Sequence, residues 1–66
     1  MPAYEVTLTP EDRAPFRAEE LIIAVSAADE MEATGRAYRM LKRQYGAGTT
    51  AGNPMWWRST ITEKQR

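Results

Sequence analysis

The chain has 66 residues, no histidine, no cysteine, and nine basic side chains against nine acidic ones. That length allows one thin core, hiding roughly 60% of the extended chain's surface, and the missing residue types exclude a disulfide staple, a soft metal site and the commonest general base and thiol nucleophile. No apolar run approaches a bilayer span, and the first residues lack the basic and apolar regions of a signal peptide, so a cytoplasmic protein with no membrane partner is expected.

Tyr4-Glu5-Val6-Thr7-Leu8-Thr9 alternates apolar and polar residues, the pattern of a half-buried strand over 4–9 with Tyr4, Val6 and Leu8 inward. Thr9-Pro10-Glu11-Asp12 resembles a helix start, but Pro15 follows so closely that a single turn or tight loop is predicted. Over 16–25 the periodicity fits either helix or strand. The density of Ile22, Ile23 and Val25 favours a strand, with Leu21, Ile23 and Val25 inward.

Ser26-Ala27-Ala28-Asp29 supplies an N-cap serine with an acid three positions on, so a helix is predicted over 27–45. Ala27, Met31, Thr34, Tyr38, Leu41 and Tyr45 form its apolar stripe, and Gly46 ends it. Gly35 lies beside the stripe, where a missing side chain would let the helix approach the sheet. Met40 lies opposite and is predicted to be exposed. Residues 46–54 are a loop by composition. A third strand follows over 55–62, with Met55, Trp57 and Ile61 on one face and Trp56, Arg58, Thr60 and Thr62 on the other, and then a polar tail over 63–66.

The expected fold is one α+β domain spanning 1–66, of order ββαβ. Its three-stranded antiparallel sheet has spatial order 2-1-3, with one helix packed on one face. The opposite face, carrying Glu5, Thr7, Thr9, Glu20, Ile22, Trp56, Arg58 and Thr60, has no second layer from this chain and is where a partner would dock. So thin a core also favours self-association, which leaves monomer and homodimer both open.

Catalysis would have to rest on carboxylates, and a core of this size shapes no pocket to shift their pKa values, so no enzyme activity and no cofactor are expected. Gly46-Ala47-Gly48 follows a helix instead of preceding one and reads as a plain loop, not a phosphate cradle. Trp56 beside Arg58 combines the residue types that dominate interface hot spots, which favours partner binding, self-association included, over a Trp56 that merely caps a sheet edge.

Charge is distributed unevenly. Residues 1–33 hold eight of the nine acids and two of the nine bases, so the halves carry about −6 and +6. Asp29, Glu30 and Glu32 at the helix start, and Arg36, Arg39, Lys42 and Arg43 toward its end, complement the macrodipole. The bases could instead meet nucleic-acid phosphate, with Trp56 assisting. A solvated face is favoured, because small nucleic-acid binders carry a clear positive excess. The acids Glu5, Glu11, Asp12, Glu19, Glu20, Asp29, Glu30 and Glu32 either solubilise the domain or, if they form one patch, imitate a nucleic-acid backbone toward a basic groove on another protein.

The opening Tyr4–Asp12, the Ala24-Val25-Ser26-Ala27-Ala28 passage into the helix and the short length together resemble the small phage-encoded anti-CRISPR inhibitors of type I systems, particularly type I-C. That resemblance implies a stoichiometric, non-enzymatic inhibitor in the host bacterial cytoplasm, docked on the RNA-guided surveillance complex and blocking target DNA recognition. Partner contacts are expected at Glu11, Asp12, Glu19, Glu20, Asp29, Glu30 and Glu32, with Trp56 and Arg58 as a second surface. The alternatives are a small nucleic-acid-binding or regulatory domain, or a structural phage subunit.

Overall fold

The alternating residues near the start of the chain form the central strand of the sheet. In the structure, a computed structural model that describes residues 1–64, β1 (Ala3–Pro10) pairs antiparallel with β2 (Leu21–Ser26) on one side and β3 (Trp57–Lys64) on the other. The order is β2-β1-β3, and α1 (Glu30–Tyr45) packs on one face, as the α+β reading expects. Tyr4, Val6 and Leu8 are buried under the helix, with Ile23 and Trp57 beside them.

β2 is shorter than the strand expected over 16–25, and the cause is the residue it would have paired with. The Ala27 N–H donates to the Pro2 carbonyl at 3.1 Å, which marks 2 and 27 as a hydrogen-bonded pair. Such pairs alternate along an antiparallel ladder. In this register they recur at Tyr4 with Val25, Val6 with Ile23 and Leu8 with Leu21. The next would join Pro10 to Glu19, but proline has no N–H to donate. The ladder ends at Leu21, and Phe16 turns in to stack on Trp57 at 5.9 Å between ring centroids.

The helix begins three residues later than the serine cap predicts. Asp29 is the N-cap: its Oδ1 accepts the Glu32 N–H at 2.8 Å, while Glu32 Oε1 accepts the Ala28 N–H at 2.9 Å. Asp29 thus satisfies one orphan donor of the first turn, and Glu32 ties down the residue before the cap, a variant of the capping box for which Glu at the third position suits better than the Asp29 that follows Ser26. The buried face is Ala33, Ala37 and Leu41, flanked by half-buried Thr34, Tyr38 and Tyr45. Met31, expected in the stripe, is 85% exposed. Gly35 faces open space, so the close approach to the sheet comes from the two alanines. Gly46, at φ 96°, ends α1 by donating its N–H to the Lys42 carbonyl, as expected of a C-cap glycine.

The third strand starts two residues later than predicted. Asn53 caps a 3-10 turn over Pro54–Trp56 by accepting the Met55 N–H, which leaves Met55 exposed instead of inward. Strand β3 then runs through Glu63 and Lys64, residues expected to belong to a polar tail. The rest of that tail, residues 65–66, lies outside the described residues.

Candidate interaction surfaces

The acids proposed from the sequence as partner contacts fall at two places. Glu11 and Asp12 follow β1 and Glu19 and Glu20 precede β2, so these four share one end of the sheet. Asp29, Glu30 and Glu32 lie beyond the far end of β2, whose six residues span roughly 20 Å. The structure therefore brings together the first four and not all seven.

At the first end the side chains are connected. Glu11 Oε1 stands 3.6 Å from Arg58 Nε, and Glu20 Oε2 accepts from the Thr9 hydroxyl at 3.2 Å. Thr9 is the register partner of Arg58, and the Glu11 N–H donates to the Trp56 carbonyl at 2.8 Å. Glu11, Glu20, Trp56 and Arg58 thus form one corner, with Asp12 and Glu19 exposed beside it. The Glu11–Arg58 pair is well exposed, so it orients side chains more than it stabilises the fold.

Trp56 is not the exposed strand residue that alternation suggests. It closes the 3-10 turn and is half-buried against the core, so it belongs to neither sheet face. The two adjacent tryptophans need not oppose each other, because only Trp57 lies in β3. Arg58 does face the uncovered side of the sheet, together with Glu5, Thr7, Thr9, Ile22, Thr60 and Thr62. Ile22 is 63% exposed there, and Lys64 Nζ reaches Glu5 at 3.6 Å.

At the opposite end Asp29 and Glu32 serve the helix cap, and Glu32 also pairs with Arg36 at 3.5 Å. Burial pushes the Tyr4 phenol above its usual value, and the nearby carboxylates Glu63, Glu30 and Asp29 push it further in the same direction. Among the described residues no set of three or more acids converges closely enough to hold a metal ion. No helix is long and apolar enough to cross a membrane.

One feature of the surface was not legible from composition. Arg36, Arg39, Met40 and Arg43 line a groove against Val25 and Ser26 of β2. Their spacing of three, four and seven puts them on one helix face, which the sequence does contain; the strand across from them is a tertiary fact. No protein-family model, curated protein or solved structure matches this chain.

Proposed function

We propose that the chain is a non-enzymatic binding protein that inhibits its partner by occupying a basic surface. The observation that supports this most directly is the acidic corner: Glu11, Asp12, Glu19 and Glu20 gathered on the connection between β1 and β2, next to a sheet face that no element of the chain covers. The connection over 11–20 also carries Arg13 and Arg17, and its four acids against two bases leave a net negative end that steers and orients a docking event toward a positively charged groove. Asp29, Glu30 and Glu32 are assigned to the helix terminus and not to this contact.

The partner class follows from the resemblance to phage inhibitors of type I CRISPR systems. A surveillance complex holds its nucleic acid in a positively charged channel, and a small acidic corner that enters such a channel excludes target DNA. The test is phage plaquing on a bacterial strain with active type I-C interference, with and without the protein, beside an isogenic strain lacking the CRISPR genes. Restored plaquing confined to the active strain, lost on Glu19→Lys with Glu20→Lys in a chain that still folds, is the expected result. Unrestored plaquing with folded, expressed protein removes the CRISPR assignment. Restoration that survives both reversals removes the acidic corner as the contact.

A further inference from the structure

A groove of about 710 Å³ separates α1 from the outer edge of β2, with Val25 and Ser26 on one wall and Arg36, Arg39, Met40 and Arg43 on the other. A second hollow, lined by Ile23, Met40, Arg43 and Gln44, lies beside it. Arg36 is engaged: its guanidinium donates to the Ser26 carbonyl at 2.8 Å and pairs with Glu32. Among the described residues Arg39 and Arg43 have no carboxylate within ion-pair distance.

The strand beside these bases has a free edge. Since Val25, Ile23 and Leu21 turn their backbone groups toward β1, those of Ile22, Ala24 and Ser26 point away from the sheet. The Arg36 contact with the Ser26 carbonyl agrees with that direction. Natural edges are usually blunted by a charge, a proline or a bulge. Leu21-Ile22-Ile23-Ala24-Val25-Ser26 has neither a charge nor a proline, and its pairing with β1 runs without a bulge.

We propose that this edge and groove bind an extended acidic segment of a partner protein by strand addition. The segment's backbone pairs with Ile22 and Ala24, and alternate side chains then lie on opposite faces. Those on the helix side meet Arg39 and Arg43 and are carboxylates. Those on the other side run along exposed Ile22 and Ala24 and are apolar or β-branched. A second copy of the chain fits poorly, because a two-fold pairing of β2 edges would set one arginine wall against another. Single-stranded nucleic acid would satisfy the arginines but leave the edge N–H and C=O groups unused, and no aromatic ring lines the groove for a base to stack on. This site is distinct from the acidic corner and does not rest on the inhibitor reading.

The test uses the isotope-labelled full chain and three probes: a peptide of about eight residues, slightly longer than a typical strand, alternating Glu and Val; the same peptide with Lys for Glu; and a single-stranded oligonucleotide of similar charge. The Glu peptide should bind, shift the amides of residues 22–26 and 36–43 and slow exchange at Ile22 and Ala24, while the Lys peptide does not bind. Ala24→Pro removes one outward N–H where an edge strand tolerates proline, and should weaken the Glu peptide by about tenfold or more. If Ala24→Pro does not fold, Arg39→Glu with Arg43→Glu, on the exposed helix face, should instead abolish the preference for Glu over Lys. The proposal is overturned by no binding of the Glu peptide, by oligonucleotide binding as tight as the peptide's, by folded Ala24→Pro retaining full affinity, or by a dimer in light scattering that Ala24→Pro dissolves.

Discussion

The ring of Tyr45, the last residue of α1, lies 5.6 Å from the ring of Trp57, the first residue of β3. The connection over 46–56 therefore starts and ends on a single aromatic contact, which fixes where the returning strand enters the sheet. Phe16 stacks on the same indole, so the segment before β2 is anchored there too. The indole N–H is satisfied inside the loop it closes, donating to the Ala51 carbonyl at 2.8 Å.

Trp57 should accordingly be the costliest single truncation in the molecule. Trp57→Ala removes a side chain that is 4% exposed and leaves both neighbouring rings without their partner. Losses of about 3–5 kcal/mol are usual for such changes, and they approach the whole stability of a small domain. Urea unfolding followed by circular dichroism should show no cooperative transition for Trp57→Ala. Trp57→Phe keeps an aromatic ring but leaves the Ala51 carbonyl without its donor, and should retain a transition weakened by about 1–3 kcal/mol. A Trp57→Ala chain as stable as the parent would show that the three rings do not organise the core.

Two glycines should respond in opposite directions to the same change. A Cβ on Gly35 meets open space on an exposed helix face, so Gly35→Ala should stabilise by up to about 1 kcal/mol through helix propensity alone. A Cβ on Gly52 would run into the Gly46 carbonyl and come within 3.0 Å of the Thr49 hydroxyl. That hydroxyl accepts the Gly52 N–H and donates to the Gly46 carbonyl at 2.6 Å, so the loop cannot shift without breaking the helix stop. Gly52→Ala should cost about 1–3 kcal/mol. Thermal midpoints of the two variants, measured side by side, should fall on opposite sides of the parent's.

The same contrast shows what the sequence holds and what it does not. Strand β1 was legible because Tyr4, Val6 and Leu8 alternate without ambiguity, and the sheet order follows from short connections and one crossover helix. Of the expected stripe Ala27 and Leu41 are buried and Thr34, Tyr38 and Tyr45 half-buried, but Met31 is exposed and Ala33 and Ala37 take the centre, because the helix packs on a flat strand surface where small residues bring it closest. Gly35 meets only open space, the approach to the sheet falls to Ala33 and Ala37, and the glycine crowded by backbone is Gly52 in the loop, since local spacing carries no information on which backbone passes near. The acids could be counted but not grouped: the approximate length of β2 decides that Glu20 and Glu30 stand at opposite ends of the domain. The groove beside Arg39 and Arg43 needed the strand across from it, which no helical spacing supplies.

Pro10 should set the length of β2. Its ring removes the donor that Glu19 would need as the next hydrogen-bonded pair after Leu8 with Leu21. Pro10→Thr restores an N–H in a residue suited to a strand. The new amide at position 10 should exchange slowly with solvent, and Glu19 and Glu20 should take on strand-like chemical shifts, extending β2 into the segment that carries the acidic corner. If the amide at position 10 exchanges as fast as a loop amide, the strand is limited by the inward turn at Phe16 and not by the proline. Because the extension would reorient Glu19, the same variant should also alter inhibition in the plaquing assay.

Tyr4 ties stability to alkaline pH. Its phenol is raised above the ordinary value of 10.0, first by burial and then by Glu63, Glu30 and Asp29. In the folded chain the proton is therefore held to higher pH than in the unfolded chain. The unfolded state binds fewer protons between the two pKa values, so stability falls with rising pH in that interval. The contribution is fully present below about pH 10, where both states are protonated, and is lost as pH climbs through the folded pKa. Urea midpoints measured from neutral to strongly alkaline pH should decline more steeply for the parent than for Tyr4→Phe, which cannot ionise. Ultraviolet titration should show the phenol that Tyr4→Phe lacks ionising above the ordinary value of 10.0, and its midpoint should fall on Glu63→Gln, which removes the largest of the three carboxylate contributions. Parallel declines in the parent and Tyr4→Phe would show that Tyr4 ionises equally easily in both states.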